Sequence, residues 1–297
     1  MERLHELTAM VRRHLGEAPV EGVGPVLPPG LQMILSSGLT SGQQLVYEPM
    51  LCVILEGAKR TTLGAESYDY HAGEYLVVSA ELPVSGQVIA APYLAVGLPL
   101  DPALIADLAM EADVAPDPRP QRALAVGRMD GEMIDAVLRL ARLIDRPDHA
   151  GVLAPMILRE IVWRLLTGEL GATVRQIAAG EGRLAQVNKA IRWIRTRYAE
   201  PLRVDELADI AGMSETSLFR HFRAVTAMSP LQYQKQIRLQ EARTLLMNHG
   251  RDIAGVGFAV GYNNPSQFSR EYVRLFGLPP GRDAERLRAD PALAMAV

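Results

Sequence analysis

Two stretches decide how this chain is read: VDELADIAGMSETSLFRHF (204–222) and VGFAVGYNNPSQFSREY (256–272). In the first, a helix-sized apolar segment ends at Gly212, and Ser214 is placed to cap the next helix. Leu218 and Phe222, four apart, then share one face of that helix. The second stretch repeats the plan. Gly261 ends a helix, Asn264 caps the next, Pro265 takes its first position, and Phe268 and Tyr272 are again four apart. Aligning the caps pairs Leu218 with Phe268, Arg220 with Arg270 and Phe222 with Tyr272, with one extra residue in the second turn. Glycine in each turn permits the backbone conformation that sets two helices at a steep angle. The apolar pair anchors the second helix on its own small core and leaves the opposite face free to enter a major groove.

Those free faces carry Ser214, Thr216, Ser217, Phe219, Arg220 and Arg223 in one copy, and Asn264, Pro265, Ser266, Gln267, Ser269 and Arg270 in the other. Arg pairs bidentately with guanine, and Gln and Ser hydrogen-bond base edges. Two surface helices with salt-bridged arginines would explain either copy alone. The recurrence of Arg at the same place in both favours DNA.

Working outward, SPLQYQKQIRLQEARTLL (229–246) suits one continuous helix, spanning about 27 Å at ~1.5 Å per residue. Such a rod holds two recognition helices about 34 Å apart, the spacing of successive major grooves. Helices are predicted near 184–198, 204–211, 214–224, 230–248, 252–260, 264–276 and 281–288. Charge follows the same division. Residues 183–288 carry 17 basic and 10 acidic groups, whereas 1–182 carry 14 and 23, within a chain of net charge −3. A basic C-terminal third on an acidic body points to a polyanion for that third alone.

The remaining two-thirds reads differently. The start, MERLHELTAMVRRHLGE, is an amphipathic helix with Leu4, Leu7, Val11 and Leu15 on one side, not a secretory signal. Residues 31–100 are β-rich: LCVILEG, EYLVVSAELPVSG and YLAVGLPL are short apolar runs bounded by Gly and Pro. Asp101-Pro102 opens a helix through Met110, VAPDPRPQ (114–121) is a Pro-rich loop, and helices follow from Asp130 and over Leu153–Leu166. A Gly-containing break at 178–182 divides the two parts. No run approaches the roughly 18 apolar residues of a membrane span. The single cysteine, Cys52, allows no internal disulfide, and a cytoplasmic location is expected.

Residues 184–288 resemble the DNA-binding domain of the AraC/XylS family of transcription regulators. The resemblance is carried by QKQIRLQEARTLL and GYNNPSQFSREYVRLFGLPPGR. It implies that Thr216, Phe219, Arg220, Pro265, Ser266 and Arg270 face base edges. Phe219 departs from the usual polar type, and either meets a thymine methyl or packs inward. Pro265 lacks a backbone donor, so the second unit would read fewer bases. Residues 49–88 and 92–101 resemble the AraC-type N-terminal domain, which implies a cupin-like barrel that senses an effector, followed by helices that dimerise.

The fold expected is therefore α+β: an N-terminal cupin-like β-barrel with flanking helices over 1–180, then an all-α domain over 184–290 of two helix-turn-helix units joined by a long helix. Polar residues available to line the barrel are Tyr47, Lys59, Arg60, Tyr68, Tyr70 and His71, with Cys52 in an apolar run. Neither a metal nor another cofactor is expected, since His71 stands near Glu74 without the histidine cluster a cupin metal site needs. The partners expected are double-stranded DNA, a small-molecule effector, a second copy of the chain, and RNA polymerase as a further candidate. No membrane and no catalysis are expected. Two alternatives stand beside this reading: a cupin-like enzyme with appended DNA-binding helices, and a DNA-binding regulator with no small-molecule input.

Overall fold

Leu4, Leu7 and Val11 do share one buried face of the first helix, α1 (Glu2–Leu15). The computed structural model describes residues 2–15, 22–27, 30–112, 122–178, 183–249 and 252–289. The Pro-rich stretch 114–121 and most of the 178–182 break lie outside them.

After α1 come β1 (Gly22–Leu27), β2 (Leu31–Ser36), β3 (Gln43–Tyr47), β4 (Met50–Leu63), β5 (Glu66–His71), β6 (Glu74–Val78) and β7 (Leu82–Pro99). Next are α2 (Pro102–Glu111), β8 (Leu124–Arg128), α3 (Gly131–Ala141), α4 (Pro147–Thr167) and α5 (Gly171–Ala178). Three of these elements, β1, β8 and α5, go beyond the sequence reading, and α4 begins six residues before the predicted Leu153 because Pro147 supplies a helix start. The helix continues through Pro155, at the loss of one backbone hydrogen bond.

The strands form one antiparallel sheet with the order β1-β2-β7-β4-β6-β8, while β3 pairs β7 and β5 pairs β4 off that path. Strands β4 and β7, 14 and 18 residues long, run through both halves and are bent by register shifts between Ile54 and Lys59. The halves thereby curl toward each other into a barrel-like body. Alternation then sorts side chains onto two faces. Leu51, Val53, Leu55, Leu94, Val96 and Leu98 face outward into one core with α1–α5. Cys52, Ile54, Tyr70, Val84, Val88 and Tyr93 face inward.

The chain then becomes helical: α6 (Arg183–Thr196), α7 (Val204–Ala211), α8 (Glu215–Thr226), α9 (Pro230–His249), α10 (Ile253–Ala259), α11 (Pro265–Phe276) and α12 (Pro280–Ala289). The core of the first unit, with Leu218, Phe222 and Tyr233, is continuous with the inner face of the sheet. The second unit has its own core around Phe268 and Tyr272. That core is closed by a buried ion pair, Arg243 Nε to Asp283 Oδ2 at 2.8 Å, with Tyr272 Oη donating to the same carboxylate at 3.0 Å. A buried pair of this kind is costly to break from one side, about 3–5 kcal/mol.

Candidate DNA interface and effector site

Gly212 and Gly261 close the first helix of each unit at φ +64° and +90°, in the left-handed region that glycine enters without a Cβ penalty. Gly261 is doubly constrained, since a Cβ there would lie 2.1 Å from the Ala199 carbonyl oxygen. The caps then start the second helices. Ser214 Oγ accepts from the Ser217 amide at 3.3 Å, and Asn264 Oδ1 accepts from the amides of Ser266 (2.8 Å) and Gln267 (3.3 Å). Leu218 and Phe222 of α8, and Phe268 and Tyr272 of α11, are fully buried. Their burial turns the opposite faces to solvent. Thr216, Arg220 and Arg223 are exposed on α8, as are Pro265, Ser266, Gln267 and Arg270 on α11, while Ser217 and Ser269 are half-buried. Phe219 is 37% exposed, so of the two roles left open for it, the outward one matches its position.

Charge on these faces is unspent. Among the described residues no carboxylate pairs with Arg220, Arg223, Arg270 or Arg274, whereas arginines of the body such as Arg60, Arg139 and Arg164 are paired. Glu271, the acid on α11, is held by Lys235 (2.9 Å), Tyr262 (2.8 Å) and Gln267 (3.3 Å). Although partial burial pushes it up, Lys235 and the hydroxyl keep its carboxyl below the usual range.

The two units are tied by Arg238 of α9. Its guanidinium donates to the carbonyls of Tyr198 (2.6 Å), Glu200 (2.8 Å) and Ala199 (3.2 Å) after α6, and of Gly261 (2.9 Å) in the second turn. In the sequence α9 reads only as a spacer; the fork of Arg238 also fixes how the units are set against each other. No periodicity marks such a residue, because its partners are main-chain atoms.

On the inner face of the barrel, the strand register places Lys59 opposite Tyr70 on one side and Val88 on the other. Lys59 Nζ lies 5.6 Å from the Tyr47 ring centroid and 5.8 Å from that of Tyr93. Tyr70 Oη and Thr61 Oγ1 are 2.7 Å apart, and Tyr47 Oη is 3.4 Å from the same Thr61 oxygen. Burial raises the Cys52 thiol against the opposing pull of Lys59. Thus Tyr47, Cys52, Lys59 and Tyr70 come together. Arg60 and His71 do not join them. Each is the chain neighbour of an inward residue, so strand alternation turns it out. Arg60 pairs with Asp69 through two 2.6 Å bonds, and the His71 amide donates to Glu74 Oε2 at 2.9 Å. Tyr68 is half-buried and donates to Glu66 at 2.8 Å. Tyr93 also belongs to the cluster, although the sequence marks it only as part of an apolar run. Among the described residues no group of three or more His, Cys, Asp or Glu side chains could hold a metal, and no helix is long and apolar enough to cross a membrane.

Barrel and helices touch at several places, β3 also meeting α11 and β7 meeting α9. The Tyr233 hydroxyl donates to the Glu81 carbonyl (2.9 Å) and Arg195 pairs with the Glu81 carboxylate. Gln240 Nε2 donates to the Leu45 carbonyl on β3 (3.1 Å). The β4–β5 turn abuts the end of α8 so closely that a Cβ on Gly64 would sit 2.8 Å from the Ala227 carbonyl oxygen.

Residues 28–173 match the family described as the AraC-type transcriptional regulator N-terminus, and residues 207–286 match a helix-turn-helix domain family. The chain belongs to the AraC-type family of transcriptional regulators. Among curated proteins it is similar to the HTH-type transcriptional regulator ArgR of Pseudomonas aeruginosa, at 30% identity over 53% of this chain and 48% of that protein. It is also similar to the transcriptional activator RhaS of Escherichia fergusonii, at 26% identity over 53% of this chain and 58% of that protein. The chain thus spans about half the length of the curated relatives it matches. Among solved structures it resembles ToxT of Vibrio cholerae with an unsaturated fatty acid bound, at TM-score 0.54 and 9% identity over 86% of this chain and 93% of that one. A second ToxT structure, bound to a naphthyl-butenoic acid, has TM-score 0.57 and 10% identity over 90% and 99%. At such identity the likeness concerns the fold, an AraC-type barrel followed by paired helix-turn-helix units.

Proposed function

We propose that this AraC-type chain binds specific double-stranded DNA through α8 and α11, and that a small molecule held on the inner face of the barrel controls that binding. Residues 1–180 form the effector and dimerisation part, and 184–290 the DNA-binding part. The observation that carries the DNA reading is the pair of buried anchors on each helix, which turn Arg220 and Arg270, free of carboxylate partners, outward from equivalent positions. At ~1.5 Å per residue the 20-residue α9 spans about 30 Å, near the ~34 Å between successive major grooves.

The effector reading is supported by the ToxT structures, whose bound molecules are small organic acids, and by the contacts between barrel and helices. β3 carries Tyr47 toward the inner face while its Leu45 carbonyl is held by α9. A ligand shifts such an equilibrium only by binding one arrangement more tightly. A second copy of the chain is the proposed partner for α4, where Val152 (71% exposed), Met156 (65%) and Trp163 (41%) fall on one face at spacings of four and seven. RNA polymerase is a further proposed partner. With DNA as the target, the cytoplasm is the proposed location.

Selection of genomic fragments by the purified chain tests this reading. Enrichment of a shared motif with two boxes about one helical turn apart is expected. Fragments retained without any common motif, in low and moderate salt alike, would sink it.

A further inference from the structure

We infer that the residue following each recognition arginine, His221 in α8 and Glu271 in α11, is a positioning residue for base readout, accepting a hydrogen bond from a base-facing side chain of its own helix. This rests on the DNA reading above and adds the two residues that aim its contacts.

Alignment of the two units brings these positions together: with Arg220 set against Arg270, His221 falls against Glu271. Each lies one residue before the second apolar anchor, Phe222 or Tyr272, at the border between the buried and the free face of its helix. Both are polar side chains drawn well into the surface. His221 is 8% exposed and the Glu271 side chain 15%. A polar group held by packing in this way is a fixed acceptor for neighbours that point at DNA.

In the first unit Arg220 Nη2 donates to His221 Nε2 at 3.2 Å. A guanidinium can only donate, so this ring nitrogen is the acceptor and the ring proton sits on Nδ1. One guanidinium donor is engaged, and the others stay free for the two-pronged contact with guanine. A histidine also leaves the charge of Arg220 intact, whereas a carboxylate there would offset its attraction to DNA.

In the second unit Gln267 Nε2 donates to Glu271 Oε1 at 3.3 Å, one helical turn along. That bond sets the direction of the amide and leaves its carbonyl oxygen for a base edge. Glu271 is itself fixed. Lys235 Nζ reaches the same Oε1 at 2.9 Å, and Tyr262 Oη donates to Oε2 at 2.8 Å. Lys235 also offsets a negative charge that would otherwise lie next to DNA. Holding a long side chain in place before binding removes an ordering cost worth about two- to tenfold in affinity for each such side chain.

The test uses the full chain on its selected duplex and on duplexes changed one base pair at a time, read by fluorescence anisotropy, with Tm measured for every variant. His221→Met keeps the bulk and removes the acceptor. It should lose about two- to tenfold on the selected duplex, with scrambled DNA bound as before. The loss should fall on the base pair whose preference Arg220→Ala also flattens. His221→Gln, whose Oε1 takes the place of Nε2, should restore that preference. In an Arg220→Ala background His221→Met should add no further loss. Glu271→Met should likewise flatten the preference that Gln267→Ala flattens, and Glu271→Gln should recover it even at a lower Tm. His221→Asn and Glu271→Asn, too short to reach, take the place of the methionine variants if those fail to fold. A merely structural residue would instead lower Tm and weaken every duplex alike. That pattern overturns the positioning role in the unit concerned. So does full one-base discrimination in His221→Met or Glu271→Met while Arg220→Ala or Gln267→Ala loses it. If Arg220→Ala and Gln267→Ala themselves keep the parent's preferences, the base-reading role falls, and the positioning role falls with it.

Discussion

Gln240 of α9 donates from Nε2 to the main-chain carbonyl of Leu45, 3.1 Å away on β3, while its own Oε1 is buried without a partner. Among the described strands β3 pairs with β7 alone, so its other edge depends on what the helical part supplies. Gln240→Met keeps the packing but removes both the donor and the orphan oxygen, and overall stability should change by no more than about 1 kcal/mol. Amide hydrogen exchange over residues 43–47 should accelerate. If exchange there is unaltered, α9 does not restrain the strand.

The recognition faces make a sharper prediction. Arg220→Ala and Arg270→Ala should each cost about 1–3 kcal/mol on a selected site and relax base preference at one position. Arg223→Ala, further along α8 and exposed, should weaken all sequences alike and lower the salt slope by about one. Anisotropy titrations on matched specific and scrambled duplexes separate the two behaviours. An unchanged ratio of affinities in Arg270→Ala would remove that residue from base readout.

Much of this interface is legible in the sequence because helix caps and an i, i+4 apolar pair are local signals. Gly212, Ser214, Leu218 and Phe222 sit within eleven residues and state their own geometry. The barrel is less legible. Lys59 and Arg60, or Tyr70 and His71, are adjacent, and alternation allows only one of each pair to point inward, but the sequence does not show which. The register shifts in β4 between Ile54 and Lys59 reset that alternation midway, so parity counted from Cys52 turns Lys59 to the wrong face. Tyr93 is legible as part of an apolar strand but not as an orphan hydroxyl, which exists only once Cys52 and Lys59 are folded against it.

Arg238 tests whether rigidity between the units matters to recognition. Its fork joins the carbonyls after α6 to that of Gly261. Lysine at this position keeps the charge but cannot span the same acceptors. Arg238→Lys should destabilise the fold by about 1–3 kcal/mol through unsatisfied buried carbonyls. It should also lose specific DNA affinity without touching DNA, because the units would be less firmly set. A variant with a lower melting temperature but full two-box affinity would show that one unit dominates binding.

Cys52 answers a chemical question about the barrel. Its thiol is 5% exposed, and burial raises its pKa more than the Lys59 ammonium lowers it, so little thiolate should exist at neutral pH. Iodoacetamide should label the native chain more than about tenfold slower than the unfolded one. Lys59→Met removes the one nearby charge that favours thiolate, so labelling should slow further and the pH at which it accelerates should rise. Faster labelling in that variant would mean that the ammonium shields the thiol sterically rather than electrostatically. Rapid labelling of the native parent would instead mark Cys52 as a reactive thiol open to electrophiles.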